Sequence, residues 1–314
     1  MALEDTNLPD ADVAGPNPAG PNPAGMDRRG VLRAVGAGAA TAAVAGMVAA
    51  GGLTLSTVPA RAQAVTDTDI LNFALNFEYL GSNYYLYGLT GTGLAASLTP
   101  GTGTAGTVSA GGPVPFANPA IAQYVQRLAV DEQAHVVFLR AVLGSAAIAQ
   151  PNINLSVANW TTFAVNAGII QAGQTFNPYA DEISFLLGAY TIEDVCVTAL
   201  TGAAALLSSK DNLESAAGLL GVEAYQAGAI RTLLANVGAG AATDAISALR
   251  ARLSGVGDQG TSIPGQAFNF VNADSNALAY RRTPYQVLDI AYGGVGLFGV
   301  GGGFFPNGVN GTIR

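Results

Sequence analysis

The sequence predicts an all-α fold, in which four long helices form a bundle that is followed by a C-terminal extension. Apolar and small residues recur every three or four positions in four segments of more than twenty residues, which is the pattern of one buried helix face. In addition, 50% of the 314 residues are hydrophobic and only 11% are charged. A chain of this length and composition is expected to bury a sizeable core.

The composition excludes several classes of function. The net charge of −8 argues against a nucleic-acid-binding protein, because such a protein needs a basic face to bind phosphates. With one Cys and one His, the chain can form neither an intrachain disulfide nor a zinc site of the Cys₄ or Cys₂His₂ type. A Ser-His-Asp or Cys-His catalytic centre would have to use His135.

Residues 1–62 are predicted to be a leader and an export signal. The pentapeptide Pro-Asn-Pro-Ala-Gly occurs twice in residues 16–25, and this density of Pro and Gly predicts disorder. Met26 is a second candidate start of the chain. Arg28 and Arg29 then precede an uncharged stretch rich in Ala and Gly, which resembles a twin-arginine signal.

The end of this segment indicates what happens to the signal. Ala60-Arg61-Ala62 has the small-x-small pattern of a cleavage site, so we expect a mature chain that begins near Gln63. We therefore expect recognition by the twin-arginine export machinery and a periplasmic or extracellular location. An uncleaved membrane anchor is the alternative, because the uncharged stretch is long enough to span a bilayer.

The bundle is predicted to occupy residues 63–240. Its four helical patterns cover residues 66–89, 119–143, 181–207 and 211–237. Residues 91–118 and 144–180 are long crossovers rather than tight turns, with one short helix expected near residues 157–167. The first and second helices, and the third and fourth, are expected to pair as antiparallel hairpins.

Residues 241–314 are predicted to be a helical and Gly-rich extension packed on the bundle. A helix is expected over residues 241–253. Thr283, Pro284 and Gln286 then predict a helix start, with Thr as the N-cap, Pro in the first helical position and Gln at N3. The Gly-rich end from residue 293 contains Phe298, Phe304 and Phe305, which favours an ordered coil.

The glutamates of the predicted helices fall into two groups. Glu182 lies in the first turn of the third helix, where a negative charge suits the helix dipole, and Glu214 is predicted to form a capping box with Asp211. The other four lie in mid-helix within the apolar stripes, one on each helix, and two of them are followed one turn later by a polar residue. These inward residues are Glu78, Glu132, His135, Glu193, Glu223 and Gln226.

Four inward carboxylates and one imidazole predict a site for two metal ions. Buried carboxylates without partners are costly, and divalent cations offset their charge. Hard oxygen donors with an imidazole suit iron or manganese. Dimetal bundles carry a single Glu on each of two helices and Glu-x-x-His on each of the other two. In this chain, Glu78 and Glu193 are the single donors, Glu132-x-x-His135 is one pair, and Glu223-x-x-Gln226 has Gln in place of the second His.

The alternative is a bundle whose inward glutamates are satisfied by other side chains and water. Tyr85, Tyr190 and Arg231 are the candidate partners, and Tyr85 is the best candidate for a hydrogen bond to a metal-binding carboxylate. Cys196 lies next to the Glu193 stripe and is most simply a small core residue.

Five segments carry a resemblance to a known family. They are residues 71–80 (LNFALNFEYL), 131–135 (DEQAH), 192–199 (IEDVCVTA), 223–231 (EAYQAGAIR) and 303–308 (GFFPNG). These segments resemble the ferritin-like domain of the desiccation-related protein family, and the resemblance covers about residues 66 to 314. It implies a ferritin-like four-helix bundle.

The resemblance also implies a class of chemistry. The family is often exported and has plant members linked to drying tolerance, and relatives in the wider superfamily store iron, oxidise Fe(II) or dismutate hydrogen peroxide. In such a centre, Glu132 and Glu223 bridge the ions while Glu78, Glu193 and His135 bind terminally. Family members commonly carry His at the position of Gln226, so the substitution weakens the second metal position. Ferritins themselves use a Gln on the corresponding helix.

Two functions from different classes follow. The first is an exported protein with a di-iron or di-manganese centre, acting as a ferroxidase-like or peroxide-consuming oxidoreductase or handling iron under stress. The second is a structural or stress-protective protein with a degenerate site, or a surface-assembly component. The expected partners are metal ions, the export machinery and other copies of the chain in a homo-oligomer, with no nucleic acid.

Overall fold

The structure is a computed structural model that describes residues 65–262, 265, 268–294 and 300–314. The predicted leader, export signal and cleavage site lie outside the described residues, and so does Phe298. The residues from Val65 to Arg314 form one compact unit. Its secondary structure confirms the prediction of an all-α bundle.

The described residues contain seven α-helices, and their bounds agree with the sequence patterns to within a few residues. The helices are α1 (Asp67–Thr90), α2 (Pro119–Leu143), α3 (Val157–Ala167), α4 (Glu182–Ala204), α5 (Lys210–Asn236), α6 (Gly240–Ser254) and α7 (Pro284–Ala291). Short 3₁₀ turns lie at Ala96–Leu98 and Gly144–Ala146. Two three-residue strands, β1 (Val108–Ala110) and β2 (Ile153–Leu155), pair in parallel and join the two long crossovers.

The helix starts are set by side-chain caps. The Thr283 hydroxyl accepts from the Gln286 backbone while the Gln286 side chain accepts from Thr283, which is the predicted capping box of α7. The capping box predicted for Asp211 and Glu214 is wrong. Helix α5 begins one residue earlier, so that Ser209 is its N-cap and accepts from the backbone N–H of Asn212.

Helices α1 and α2 pack closely as an antiparallel hairpin, and α4 and α5 form the second close pair. The direction of the first pair is visible at its two ends. Asn72, near the start of α1, donates to Ala146 O just beyond the end of α2, while the N–H of Val114, ahead of α2, donates to Gly88 O. The two hairpins meet where α1 faces α4, and there Tyr84 stacks on Phe185 with ring centroids 4.5 Å apart.

Helix α4 is central to this packing. Among the described residues it is the one helix that is long and apolar enough to cross a membrane, but 83% of its most apolar stretch is buried inside the protein. This burial explains its composition, because a helix that packs on all sides needs an apolar surface all round.

The residues after α5 are attached to the bundle by a buried ionic cluster. We use "Arg/Asp cluster" for Asp194, Arg231, Arg250, Asp258 and Arg282, which come from α4, α5, α6 and the chain before α7. Asp194 binds Arg231 and Arg250, each at 2.8 Å, and Asp258 binds Arg250 at 2.7 Å and Arg282 at 2.8 Å. All five charged groups are buried.

The end of the chain also contacts the bundle. The backbone N–H of Asn310 donates to Asn76 Oδ1 at 3.0 Å, and Asn76 Nδ2 donates to Asn310 O at 2.9 Å. Phe304 and Phe305 are buried, and the ring of Phe304 packs edge-on against Trp160. These contacts place the described Gly-rich residues against α1 and α3.

Candidate metal centre

Four of the six inward residues form one tight cluster in the bundle. One ligand atom from each of Glu78, Glu132, His135 and Glu223 lies within 4.8 Å of the others. The imidazole Nδ1 of His135 is 3.2 Å from both Glu78 Oε2 and Glu223 Oε1, and 3.6 Å from Glu132 Oε1. Two ligands of one ion, each about 2.0–2.2 Å from it, are separated by less than about 4.4 Å. The three distances from His135 Nδ1 are below this limit, as a cation site requires.

The other two predicted residues lie beside this cluster. Glu193 on α4 accepts a hydrogen bond at Oε1 from the hydroxyl of Tyr85, as expected for a tyrosine that orients a metal-binding carboxylate. Gln226 follows Glu223 by three residues on α5 and is also buried. Tyr124 donates to the backbone oxygen of Gln226 at 3.4 Å, and the side-chain amide of Gln226 makes no hydrogen bond among the described residues.

The close approach of α1 and α2 depends on Gly81. A β-carbon at this position would overlap Glu132 Oε2, because the carboxylate of Glu132 lies directly against the backbone of α1. Gly81 lies on α1, three residues after Glu78. Its function is to leave space for a carboxylate from the neighbouring helix.

The cluster contains an unusual concentration of buried polar atoms without a hydrogen-bond partner among the described residues. They are Glu132 Oε1, Glu193 Oε2, both carboxylate oxygens of Glu223, and both amide atoms of Gln226. Buried polar groups are normally satisfied, so such a group requires an explanation, and a bound ion is one. Since five of these six atoms are oxygen acceptors, the residues fit a cation.

No cationic side chain of the described residues other than His135 neutralises these glutamates. Of the candidate partners in the alternative interpretation, Arg231 and Tyr190 bind other groups. Arg231 binds Asp194, and the hydroxyl of Tyr190 pairs with Ser247 Oγ at 2.6 Å. Because Asp194 directly follows Glu193, its side chain leaves α4 in a different direction, toward α6 and away from the carboxylate cluster.

The protonation of the cluster follows from its burial. Burial raises the pKa of Glu78 to about 7, with repulsion from Glu223 adding to this effect and the hydrogen bond from His135 opposing it. Burial, followed by repulsion from Glu223, raises the pKa of Glu132 and of Glu193 well above the usual value. Glu78, Glu132 and Glu193 therefore do not all ionise together unless a cation is bound.

The effect of burial on the pKa of the histidine has the opposite sign. Burial by itself lowers the pKa of His135, but the carboxylates of Glu223 and Glu78, each 3.2 Å from Nδ1, outweigh it and raise the pKa to about 10. Without a metal, His135 is thus held as the protonated partner of two carboxylates. Metal binding requires a neutral imidazole and ionised carboxylates, so it must displace protons from this cluster.

The metal-free protein is expected to lose stability as the pH rises from about 4.5 to about 7. The pKa of Glu78 is 4.5 in its ordinary state and about 7 in the fold. A carboxyl group whose pKa is raised by folding contributes stability below its unfolded pKa, and this stability is lost as the pH passes the folded pKa. Thermal unfolding of chelator-treated protein across this range measures the effect.

The control for this pH profile is Glu78→Gln, which removes one titrating carboxyl group and should make the profile less steep, while Glu132 and Glu193, whose pKa values are also raised, keep their contributions. Asp67 does not interfere, because its lowered pKa places its titration below 3.8. A melting temperature that rises between about pH 5 and pH 7 in the metal-free protein would contradict the expectation.

The chain is similar to known proteins over much of its length. Residues 66–236 match the model of the family described as "Ferritin-like domain". The chain is 31% identical over 272 residues to "Ferritin-like catalase Nec2" of Nesocodon mauritianus, which covers 79% of this chain and 84% of that protein. It is 30% identical over 249 residues to "Desiccation-related protein PCC13-62" of Craterostigma plantagineum, and the match covers 71% of this chain and 76% of that protein.

Proposed function

This chain belongs to the ferritin-like domain family, and we propose that it binds a carboxylate-bridged pair of iron or manganese ions for redox chemistry in stress protection. The observation that carries the proposal is the set of buried carboxylate and amide oxygens without partners around His135. A buried cluster with four glutamates and one histidine is expensive to maintain without a cation. The relative named as a catalase favours hydrogen peroxide as the substrate, with Fe(II) oxidation as the second option.

The roles proposed for the residues are those that the resemblance to dimetal bundles implies. Glu132 and Glu223 would bridge the ions, Glu78, Glu193 and His135 would bind terminally, and Gln226 would complete the second position. Bound iron or manganese supplies Lewis acidity and reversible electron transfer toward O₂ or peroxide. The donated hydrogen bond from Tyr85 fixes the orientation of Glu193 and leaves its second oxygen available.

Metal content tests the proposal. Protein produced with added iron or manganese is expected to contain about two ions per chain by element analysis, as in other dimetal bundles. His135→Ala should lose at least one of them, because it removes the single imidazole ligand. Tyr225→Ala is the matched control, since Tyr225 precedes Gln226 but is 83% exposed to solvent and should keep its metal.

The alternative function is stress protection by a non-catalytic protein with a degenerate site. It is favoured by Gln226, a weaker ligand than the imidazole of the dimetal pattern, and it agrees with the relative named as a desiccation-related protein. The same assay separates the two functions. The metal proposal would be overturned if the native chain contained only trace iron and manganese and a Gln226→His variant, which completes the second Glu-x-x-His, contained no more.

We also propose that the protein is exported by the twin-arginine route. The support is the sequence around Arg28 and Arg29, ahead of an uncharged Ala- and Gly-rich stretch. Replacing both by Lys is expected to leave the full precursor in the cytoplasm, because Lys lacks the planar guanidinium of Arg. Cell fractionation and immunoblotting measure this, with Arg33→Lys as the control. Unchanged export of the double variant would contradict the proposal.

A further inference from the structure

A cavity lies in the seam between α1 and α4, next to the carboxylate cluster. It is small, with a volume of about 20 Å³, and it is partly open to solvent. Its walls are apolar and include Phe77 from α1 and Leu200 from α4. The cavity also reaches Glu78, so one of the proposed metal ligands lines it directly.

The rim of the cavity consists of small residues. Ala74 on α1 and Ala199 on α4 are both partly exposed, whereas Phe77, Leu200 and Glu78 are buried. The cavity therefore connects partly exposed alanines to a carboxylate of the cluster. Larger side chains at the two alanine positions would narrow this connection without entering the core.

The chemistry of the walls selects the occupant. Glu78 and Cys196 are the two lining residues with polar side chains, and a thiol is only a weak hydrogen-bond donor. A buried water, or a peroxide molecule of similar polarity, needs two to four polar partners, while apolar cavities stay dry and bind apolar guests such as xenon. The neighbouring carboxylates also disfavour any anion.

We propose that this cavity is a dioxygen site, through which O₂ reaches or leaves the carboxylate cluster. The passage rests on the proposed function of that cluster, whereas the binding of a small apolar gas does not. O₂ is consumed when Fe(II) is oxidised, and it is released when two molecules of hydrogen peroxide yield two of water and one of O₂. In either direction, the apolar seam gives O₂ a path that avoids the charged surface.

Xenon tests the site independently of any metal. Crystals of the native chain under xenon pressure are expected to show an anomalous peak between Ala74, Cys196 and Ala199. Ala199→Leu should lose the peak, because a leucine at the partly exposed rim fills the cavity. Ala74→Leu, which enlarges the rim residue on α1, should lose it for the same reason. Ala235→Leu is the control, since Ala235 is a partly exposed helical alanine on α5 that does not line the cavity.

The passage of O₂ through the cavity is tested separately, by the rate of Fe(II) oxidation. The metal content of Ala199→Leu should match that of the native chain, while Fe(II) oxidation at limiting O₂ should be several-fold slower. No xenon peak in the native chain, or a peak unchanged in both rim variants, would overturn the dioxygen site. Xenon binding with an unchanged oxidation rate would overturn the passage. A chain that binds xenon but no metal would contradict the proposed function and leave the gas site in place.

Discussion

Replacing Gly81 with alanine is expected to lower the metal affinity by about 10–100-fold, the range found when a group that supports metal ligands is lost. The added β-carbon would occupy the position of Glu132 Oε2, so the carboxylate must turn away from the cluster. The helix itself should not suffer, because alanine has a higher helix propensity than glycine. Metal titration of the purified variant, followed by element analysis, measures the loss.

Gly218→Ala is the matched control for this substitution. Gly218 also lies in a helix, but nothing lies within 4 Å of the position that its β-carbon would take. The variant is expected to bind metal normally and to gain about 0.5–1 kcal/mol of stability from the backbone alone. If Gly81→Ala bound metal as tightly as Gly218→Ala, the close approach of Glu132 to α1 would have no role in the site.

Replacing Asp258 with alanine is expected to lower the free energy of unfolding by about 3–5 kcal/mol, because it leaves buried cations without their partner. Asp258 binds Arg250 and Arg282, and both guanidinium groups are inaccessible to solvent. Burial lowers the pKa of Arg282 even with Asp258 present, which shows how strongly this site disfavours an uncompensated charge. Urea denaturation followed by circular dichroism measures the change.

The control for Asp258→Ala is an ion pair on the surface. Arg127 on α2 pairs with Asp131 one turn later, and its side chain is 70% exposed. Arg127→Ala is expected to cost only about 0.3–0.5 kcal/mol, the usual value of such a pair. Comparable losses for the two variants would mean that the Arg/Asp cluster contributes no more than a solvated ion pair does.

The sequence was sufficient to predict the helices and the residues that face the interior. Apolar periodicity and cap residues act over one or two turns, so they depend on the local chain alone. For the same reason Glu78, Glu132 and Glu223 could be assigned to buried stripes before any tertiary contact was known. The capping box at Glu214 failed because Ser209, two residues before Asp211, competes as an N-cap and begins the helix earlier.

The Arg/Asp cluster could not be predicted in this way. Its members are separated by 8 to 88 residues of chain, and no spacing in the sequence relates Asp194 to Arg282. An isolated Arg or Asp on a helix is more often on the surface, and only the packing of α6 and the later loops against α4 buries these five.

The sequence by itself determined which residues lie on the inner faces of the helices, because helical geometry fixes the direction of each side chain relative to its neighbours. Only the tertiary structure decided which inner residues meet. The distance between helices depends on side chains from both of them, as Gly81 and Glu132 illustrate. That distance brings His135 between Glu78 and Glu223 and allows Tyr85 to donate a hydrogen bond to Glu193. It also leaves an apolar cavity beside the cluster.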